Sequence, residues 1–135
     1  MMGRYQKGVS AVAALAALAV MMLIFLAVKL VPEYIENIYV QDALKFVAKN
    51  NPNIEEMDQA DIKSALSKYM TVNAVANAHA KSFKIYRLPD RMLVNTNYEI
   101  RVPMIHNIEA VLVFKNQLDT SNPDACCEYL VEYEE

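Results

Sequence analysis

Glycine is almost missing from this chain: Gly3 and Gly8 are the only two in 135 residues. A glycine-rich loop that cradles phosphate groups is therefore excluded, because such a loop needs several glycines within one short segment. The same scarcity argues against a loop-rich or low-complexity protein. We expect regular secondary structure along most of the chain.

Histidine is equally scarce, and the two present, His79 and His106, lie far apart. A zinc site needs three or four ligands, and neither histidine has a second ligand three or four residues away. We interpret both as surface or turn residues. The serines lie outside any Gly-x-Ser-x-Gly elbow. The sequence thus predicts no metal, no cofactor and no enzyme activity.

Cysteine occurs only as the adjacent pair Cys126-Cys127. Adjacent Cα atoms are about 3.8 Å apart, below the usual disulfide range of ~4.4–6.8 Å. Two interpretations stay open: thiols that pair elsewhere in an oxidising compartment, or an incidental pair, which we favour. Residues 119–135 are expected to form an acidic tail, whose closing segment, Glu128 to Glu135, is solvated. Docking of that segment as an extra edge strand, or on a basic partner, is the alternative.

A long uncharged run, Ala11 to Val28, dominates the first quarter of the chain. As a helix it measures about 27 Å, close to the hydrocarbon thickness of a bilayer. A cleaved signal peptide is the alternative, but its apolar region is ~7–15 residues long and small residues mark its cleavage site. Here Lys29-Leu30-Val31-Pro32 follows. We predict an uncleaved transmembrane helix over residues 9–31.

Charge predicts the orientation of this helix. Arg4, Lys7 and Lys29 are the only basic residues up to residue 30, which leaves 10 Lys and Arg with all 16 Asp and Glu beyond it, a net charge of −6. The positive-inside rule places residues 1–8 in the cytoplasm and a domain over residues 32–118 in the periplasm. An acidic outer portion does not suit nucleic acid or an anionic membrane surface.

Two helices are predicted at the start of the outer portion. Pro32 predicts a kink or break where the first leaves the bilayer, and Asn50-Asn51-Pro52 predicts its end. Its apolar face is expected to comprise Tyr34, Ile35, Ile38, Tyr39, Ala43, Phe46 and Val47, with Glu36, Asp42, Lys45 and Lys49 on the wetter side. Asp58 is the predicted N-cap of the second helix, whose apolar stripe is Ile62, Ala65, Leu66 and Tyr69.

From Phe83 onward, apolar and polar residues alternate with a period of two, which predicts three strands. Met92, Val94, Thr96, Tyr98, Ile100 and Val102 share one face of the longest strand, with Asn95, Asn97, Glu99 and Arg101 on the other. In the third strand Ile108, Ala110, Leu112, Phe114 and Leu118 share a face. Short links favour an antiparallel meander that packs one face on the first helix. The predicted fold is α+β: a transmembrane helix continuing into an amphipathic helix, a second short helix and a three-stranded meander, a pilin-like layout.

Small residues fill the first half of the transmembrane run. Ser10 and Ala14, and likewise Ala13 and Ala17, have the small-xxx-small spacing that lets two helices approach closely in lipid. A half-helix of alanines is better explained by packing against protein than by facing lipid. We predict a partner interface that includes Ser10, Ala13, Ala14 and Ala17, extended by Tyr34 and Glu36 outside the bilayer.

Two segments together resemble a known group of proteins. Lys29-Leu30-Val31-Pro32-Glu33-Tyr34-Ile35-Glu36, and Tyr98-Glu99-Ile100-Arg101-Val102-Pro103 followed by Asn107-Ile108, resemble an uncharacterised family of single-pass proteins of Gram-negative bacteria, built on a domain of unknown function. The resemblance covers most of residues 5–118. It implies an inner-membrane location, and the family's genes commonly lie beside that of signal peptidase I. A non-enzymatic accessory protein that binds signal peptidase I or another export component is the expectation, with a homo-oligomer left open.

A looser similarity is to type IV pilins and pseudopilins. Lys7-Gly8-Val9-Ser10 before an apolar helix is similar to a prepilin leader junction. Pilins carry a glutamate at the fifth residue after the cleavage glycine, where this chain has Ala13. The resemblance implies, as the alternative function, a pilin-like structural subunit.

Overall fold

The computed structural model describes residues 6–75 and 82–132, with side chains from Ser10 onward. Within these ranges the elements are helices α1 (Gln6–Asn50) and α2 (Gln59–Val72) and strands β1 (Phe83–Arg87), β2 (Met92–Ile105) and β3 (Ile108–Asp119). The three strands form one antiparallel sheet in the order β1-β2-β3. The predicted α+β architecture of a long amino-terminal helix, a short helix and a meander is confirmed.

The chain divides after Pro32 into two compact units, and the second contains the sheet. We call this second unit the outer domain. Arg4, His79 and the last three residues of the predicted tail lie outside the described residues.

Helix α1 runs through Pro32 without interruption. Of the kink or break predicted at this proline, the break does not occur, because proline removes only one backbone hydrogen bond of the helix. The predicted end of the helix is confirmed at Asn50. The Asn50 and Asn51 side-chain amides donate to the carbonyl oxygens of Phe46 (2.8 Å) and Val47 (2.9 Å) and so satisfy two groups of the last turn.

The face of α1 that is buried in the outer domain differs from the predicted one. Its fully buried residues are Val40, Ala43, Leu44 and Val47. Ala43 and Val47 are therefore predicted correctly. The exposed residues include five that were expected to be buried: Tyr34, Ile35, Ile38, Tyr39 and Phe46. The reason is that the amides of Asn37 and Gln41 lie on the sheet side, where they bond to the sheet. The face of α1 that contacts the sheet thus includes two polar residues, and for that reason it looks like a solvent-exposed face in the sequence.

The two faces of β2 largely follow the predicted alternation. Buried on one side are Met92, Val94, Thr96, Tyr98, Ile100 and Val102, and exposed on the other are Asn97, Glu99 and Arg101. Asn95 is the exception, since it was expected to be wet and is buried. It pairs in register with Gln117, where the carboxyl-terminal segment lies against the sheet. At the end of this pair of strands that is remote from the hairpin turn, Arg91 Nη1 lies 2.9 Å from Asp119 Oδ2.

Helix α2 begins after Asp58, as predicted, although the Asp58 side chain makes no capping hydrogen bond. Its buried residues are Ile62, Leu66 and Met70. Arg87, at the end of β1, donates to the carbonyl oxygens of Glu55 and Met57. These bonds attach the turn before α2 to the sheet.

The segment after β3 docks on the free edge of that strand. The Gln117 backbone N–H donates to the Cys127 carbonyl oxygen at 3.3 Å, and the Gln117 side chain bonds both the Val131 carbonyl (2.7 Å) and its N–H (3.1 Å). Within the segment that was expected to be solvated, Val131 is therefore attached to the sheet, while Glu128 and Leu130 are exposed as expected. A disulfide joins Cys126 to Cys127, whose Cα atoms are 3.0 Å apart across a cis peptide bond, in place of the incidental pair that we favoured.

Candidate functional site

The small residues of the predicted interface are exposed along the first part of α1. Ser10, Ala13, Ala14 and Ala17 all have exposed side chains. At 100° per residue they share one side of the helix, with Ala19 on the opposite side. Among the described residues, α1 is the one helix whose apolar stretch is long enough to cross a membrane. The alanine face, Ser10, Ala13, Ala14 and Ala17, is thus available to a second helix.

A network of side-chain amides connects α1 to the sheet within the outer domain. Asn37 Oδ1 accepts two hydrogen bonds, from the Tyr98 hydroxyl at 3.0 Å and from Asn116 Nδ2 at 2.7 Å. Gln41 Nε2 donates to Asn116 Oδ1 at 3.0 Å. Cys127 Sγ lies 3.4 Å from the Gln41 carbonyl oxygen. Because these bonds join two side chains of α1 to side chains of both β2 and β3, the network fixes the rotation of α1 against the sheet.

Tyr34 and Glu36, the two predicted interface residues outside the bilayer, both lie beside this network. The Tyr34 ring meets Phe114 edge to face with centroids 5.2 Å apart, while about half of Tyr34 (53%) stays exposed. Burial raises the pKa of the Tyr98 hydroxyl, and the negative charges of Glu36 and Glu33 raise it further. Tyr34 therefore helps to hold the outer domain together through its contact with Phe114, and Glu36 is close enough to Tyr98 for its charge to act on the hydroxyl.

An exposed apolar stripe on α1 was missed by the sequence prediction. We use this name for Ile35, Ile38, Tyr39 and Phe46, which are between 37% and 53% exposed. Phe46 also contacts Tyr69 of α2, with ring centroids 5.0 Å apart. Beside that contact is an open apolar groove of about 460 Å³, lined by Phe46, Ala65, Lys68, Tyr69, Val72 and Asn73. One signal in the sequence could have revealed the stripe. Two faces of α1 contain apolar residues, and the face with Val40 and Leu44 competes for burial with the face that was predicted to be buried.

The chemistry that these surfaces offer is side-chain packing. In residues 6–75 and 82–132 no group of three or more His, Cys, Asp or Glu side chains is placed to hold a metal ion. His106 is exposed in the turn between β2 and β3. The alanine face and the apolar stripe are accordingly the candidate functional surfaces.

A family model, described as a domain of unknown function (DUF4845), matches residues 29–114. The match begins just after the uncharged run and continues through α2, β1, β2 and most of β3. No curated protein and no solved structure matches the chain.

Proposed function

This chain belongs to the DUF4845 family of domains of unknown function, and we propose that it is a single-pass inner-membrane accessory protein that binds another membrane protein. Its action on that partner is non-covalent: α1 packs on a transmembrane helix of the partner while the outer domain contacts the partner's periplasmic part. The observation that carries the proposal is the exposed alanine face of an apolar helix.

The alanine face favours protein over lipid for a physical reason. Association of helices in a bilayer depends on close packing, because lipid tails are as apolar as the side chains they surround. Small residues such as Ala13 and Ala17 allow the backbones to approach, whereas bulky residues such as leucine hold them apart. The bulky half of the run, Met21 to Leu26, consists of large apolar side chains that pack well against lipid tails.

The orientation has the amino terminus in the cytoplasm and the outer domain in the periplasm. Arg4 and Lys7 support it through the positive-inside rule. The disulfide between Cys126 and Cys127 also supports it, because disulfides persist in the oxidising periplasm and are rare in the cytosol.

Signal peptidase I, or another component of protein export, is the partner that we propose. This choice rests on the gene order of the family that the sequence resembles. An accessory protein for such a partner needs a membrane anchor and an outer domain on the same side as the partner's. Both are features of the arrangement that we propose for this chain.

A pair of matched variants tests the proposal. We expect Ala13→Leu/Ala17→Leu to abolish co-purification of the partner from detergent-solubilised membranes, because two isobutyl groups hold the helices apart. Ala11→Leu/Ala19→Leu makes the same chemical change at positions about 140° around the helix from the Ala13 and Ala17 pair and should leave the partner's recovery unchanged. Equal recovery with both variants would contradict the proposal.

The pilin-like alternative has a separate and simple readout. A pilin-like subunit would be cleaved after Gly8, and the mature chain would then lack residues 1–8. We expect the intact mass of the protein purified from membranes to correspond to an unprocessed leader. A mass lower by these eight residues would favour a pilin-like subunit over the accessory protein.

A further inference from the structure

The closed end of the β2–β3 hairpin has an unusually apolar surface. Ile105 and Ile108, on either side of the turn, are 65% and 63% exposed, and Val111 and Val113 on β3 are also at least half exposed. The turn itself, His106-Asn107, is polar, but Ile105 and Ile108 pair directly with each other across the hairpin. Exposed apolar side chains adjacent to one another at the end of a domain mark a surface that contacts a partner or a membrane.

Three contacts show which way this hairpin end points within the outer domain. Tyr34 contacts Phe114, Asn37 bonds Asn116, and Glu55 Oε1 accepts from the Thr120 hydroxyl at 2.6 Å. Residue numbers rise together along both segments, so β3 and the outer part of α1 run in the same direction. The hairpin end therefore lies toward the end of the domain at which α1 enters it.

The hairpin end is as long as the connection between the outer domain and the uncharged run of α1. The six residues from Ile108 to Val113 precede Phe114 and extend about 20 Å from the contact of Phe114 with Tyr34. The six residues from Lys29 to Tyr34, which connect the uncharged run to the outer domain, span at most about 20 Å even when fully extended. A membrane that contains the uncharged run therefore lies no further from Tyr34 than the length of the hairpin end.

We propose that the β2–β3 hairpin end, led by Ile105 and Ile108, rests in the boundary between headgroups and acyl chains of the bilayer that anchors α1. The proposal deepens the proposed function, and it depends on α1 being a membrane anchor. It makes the hairpin a second, shallow membrane contact, which restricts the rotation of the outer domain about its anchor.

The distribution of polar groups limits the depth of this contact. Arg101 Nη2 and Glu99 Oε1, 3.8 Å apart and both largely exposed, lie behind the apolar end and belong in water. His106 and Asn107 form the turn, and their polar groups need headgroup or water partners. Interfacial segments bury their apolar side chains ≈ 5–10 Å, which Ile105 and Ile108 can reach while these polar groups stay hydrated.

The acidic charge of the outer domain does not oppose this contact when the lipids are neutral. Residues after position 30 carry a net charge of −6, so attraction to anionic lipid is not the driving force. Burial of isoleucine side chains is the driving force, at roughly 25 cal/mol per Å² of apolar surface removed from water. Zwitterionic phosphatidylcholine vesicles are accordingly the correct membrane for a test.

Tryptophan fluorescence gives a direct test, because the natural chain has no tryptophan. Ile108→Trp places one at the hairpin end of the full-length protein, and Ile105→Trp provides an independent second position. Val72→Trp is the matched control: Val72 is 85% exposed at the end of α2, whose Tyr69 contacts Phe46 well past Tyr34 on α1. Each variant is reconstituted in vesicles with and without phosphatidylcholine brominated near the top of its acyl chains.

We expect the tryptophan at 108 or 105 to emit at shorter wavelength and to lose most of its intensity in brominated vesicles, while the tryptophan at 72 does neither. Flotation of the same samples reports on the anchor. If the protein floats but the tryptophans at 108 and 105 are not selectively quenched, the hairpin contact is overturned and the anchor is left intact. This outcome includes the case in which the hairpin end binds a protein partner instead of lipid. Protein that fails to float overturns the anchor, and the hairpin contact with it.

Discussion

The hydroxyl of Tyr98, on the sheet, donates to the side-chain oxygen of Asn37, on α1, at 3.0 Å. The two residues are 61 positions apart in the chain, and the same Asn37 oxygen also accepts from Asn116. A single amide thus connects α1 to both long strands.

Replacement of Asn37 by alanine should destabilise the outer domain. Asn37→Ala leaves the buried donors of Tyr98 and Asn116 without their acceptor, at a cost of about 2 kcal/mol in the free energy of unfolding. Thermal unfolding of the full-length protein in detergent measures the change. Asn97→Ala removes an exposed asparagine from β2 and should have little effect. Equal melting temperatures for the two variants would show that the network adds nothing to stability.

Tyr98 should make stability fall at high pH. Its pKa is raised in the folded protein by burial and by the charges of Glu36 and Glu33. Above about pH 10 the unfolded chain therefore releases a proton that the folded chain retains, so the free energy of unfolding decreases as pH rises. Tyr98→Phe removes this contribution.

The measurement compares the wild type with Tyr98→Phe by urea unfolding at pH 8 and pH 11. We expect the wild type to be the more stable at pH 8, through its bond to Asn37, and to lose that advantage at pH 11. A difference in the free energy of unfolding that stays the same at both pH values would rule out a proton linked to Tyr98.

A gain in stability is expected from Thr96→Val. Thr96 is fully buried, and its hydroxyl has no hydrogen-bond partner in the part of the chain that the structure describes. A buried hydroxyl without a partner costs about 1–3 kcal/mol, and valine has nearly the same shape. The melting temperature of the variant should rise by a few degrees.

Thr71→Val is the control for this gain. The Thr71 hydroxyl donates to the Ser67 carbonyl oxygen on an exposed part of α2, so its loss should not stabilise the protein. A lower melting temperature for Thr96→Val would mean that the buried hydroxyl does make a bond.

The sequence predicted the sheet well because the pattern of each strand is local. In β2, branched and aromatic residues from Val94 to Val102 alternate with polar ones, and one buried face follows directly from that alternation. The end of α1 was also predictable, since Asn50 stands just before Asn51-Pro52.

The rotation of α1 was not predictable from spacing. Asn37 and Gln41 bond to Asn116, which lies 79 and 75 residues further along the chain, and no local pattern contains that information. The docking of the tail was unpredictable for the same reason, because it depends on the contact of Gln117 with Val131 across the edge of β3. At the candidate site, Ala13 and Ala17 are exposed like all of residues 10–24, and their role in an interface remains a prediction.

Photo-crosslinking in intact cells tests the central claim, a membrane protein bound at the alanine face, most directly. A photoreactive residue at Ala17 lies on that face, and the same residue at Ala19 points to the opposite side of α1. We predict one protein adduct from position 17, identified by mass spectrometry as signal peptidase I or another export component, with lipid alone at position 19. Lipid alone at both positions, or adducts only between copies of this chain, would contradict the account.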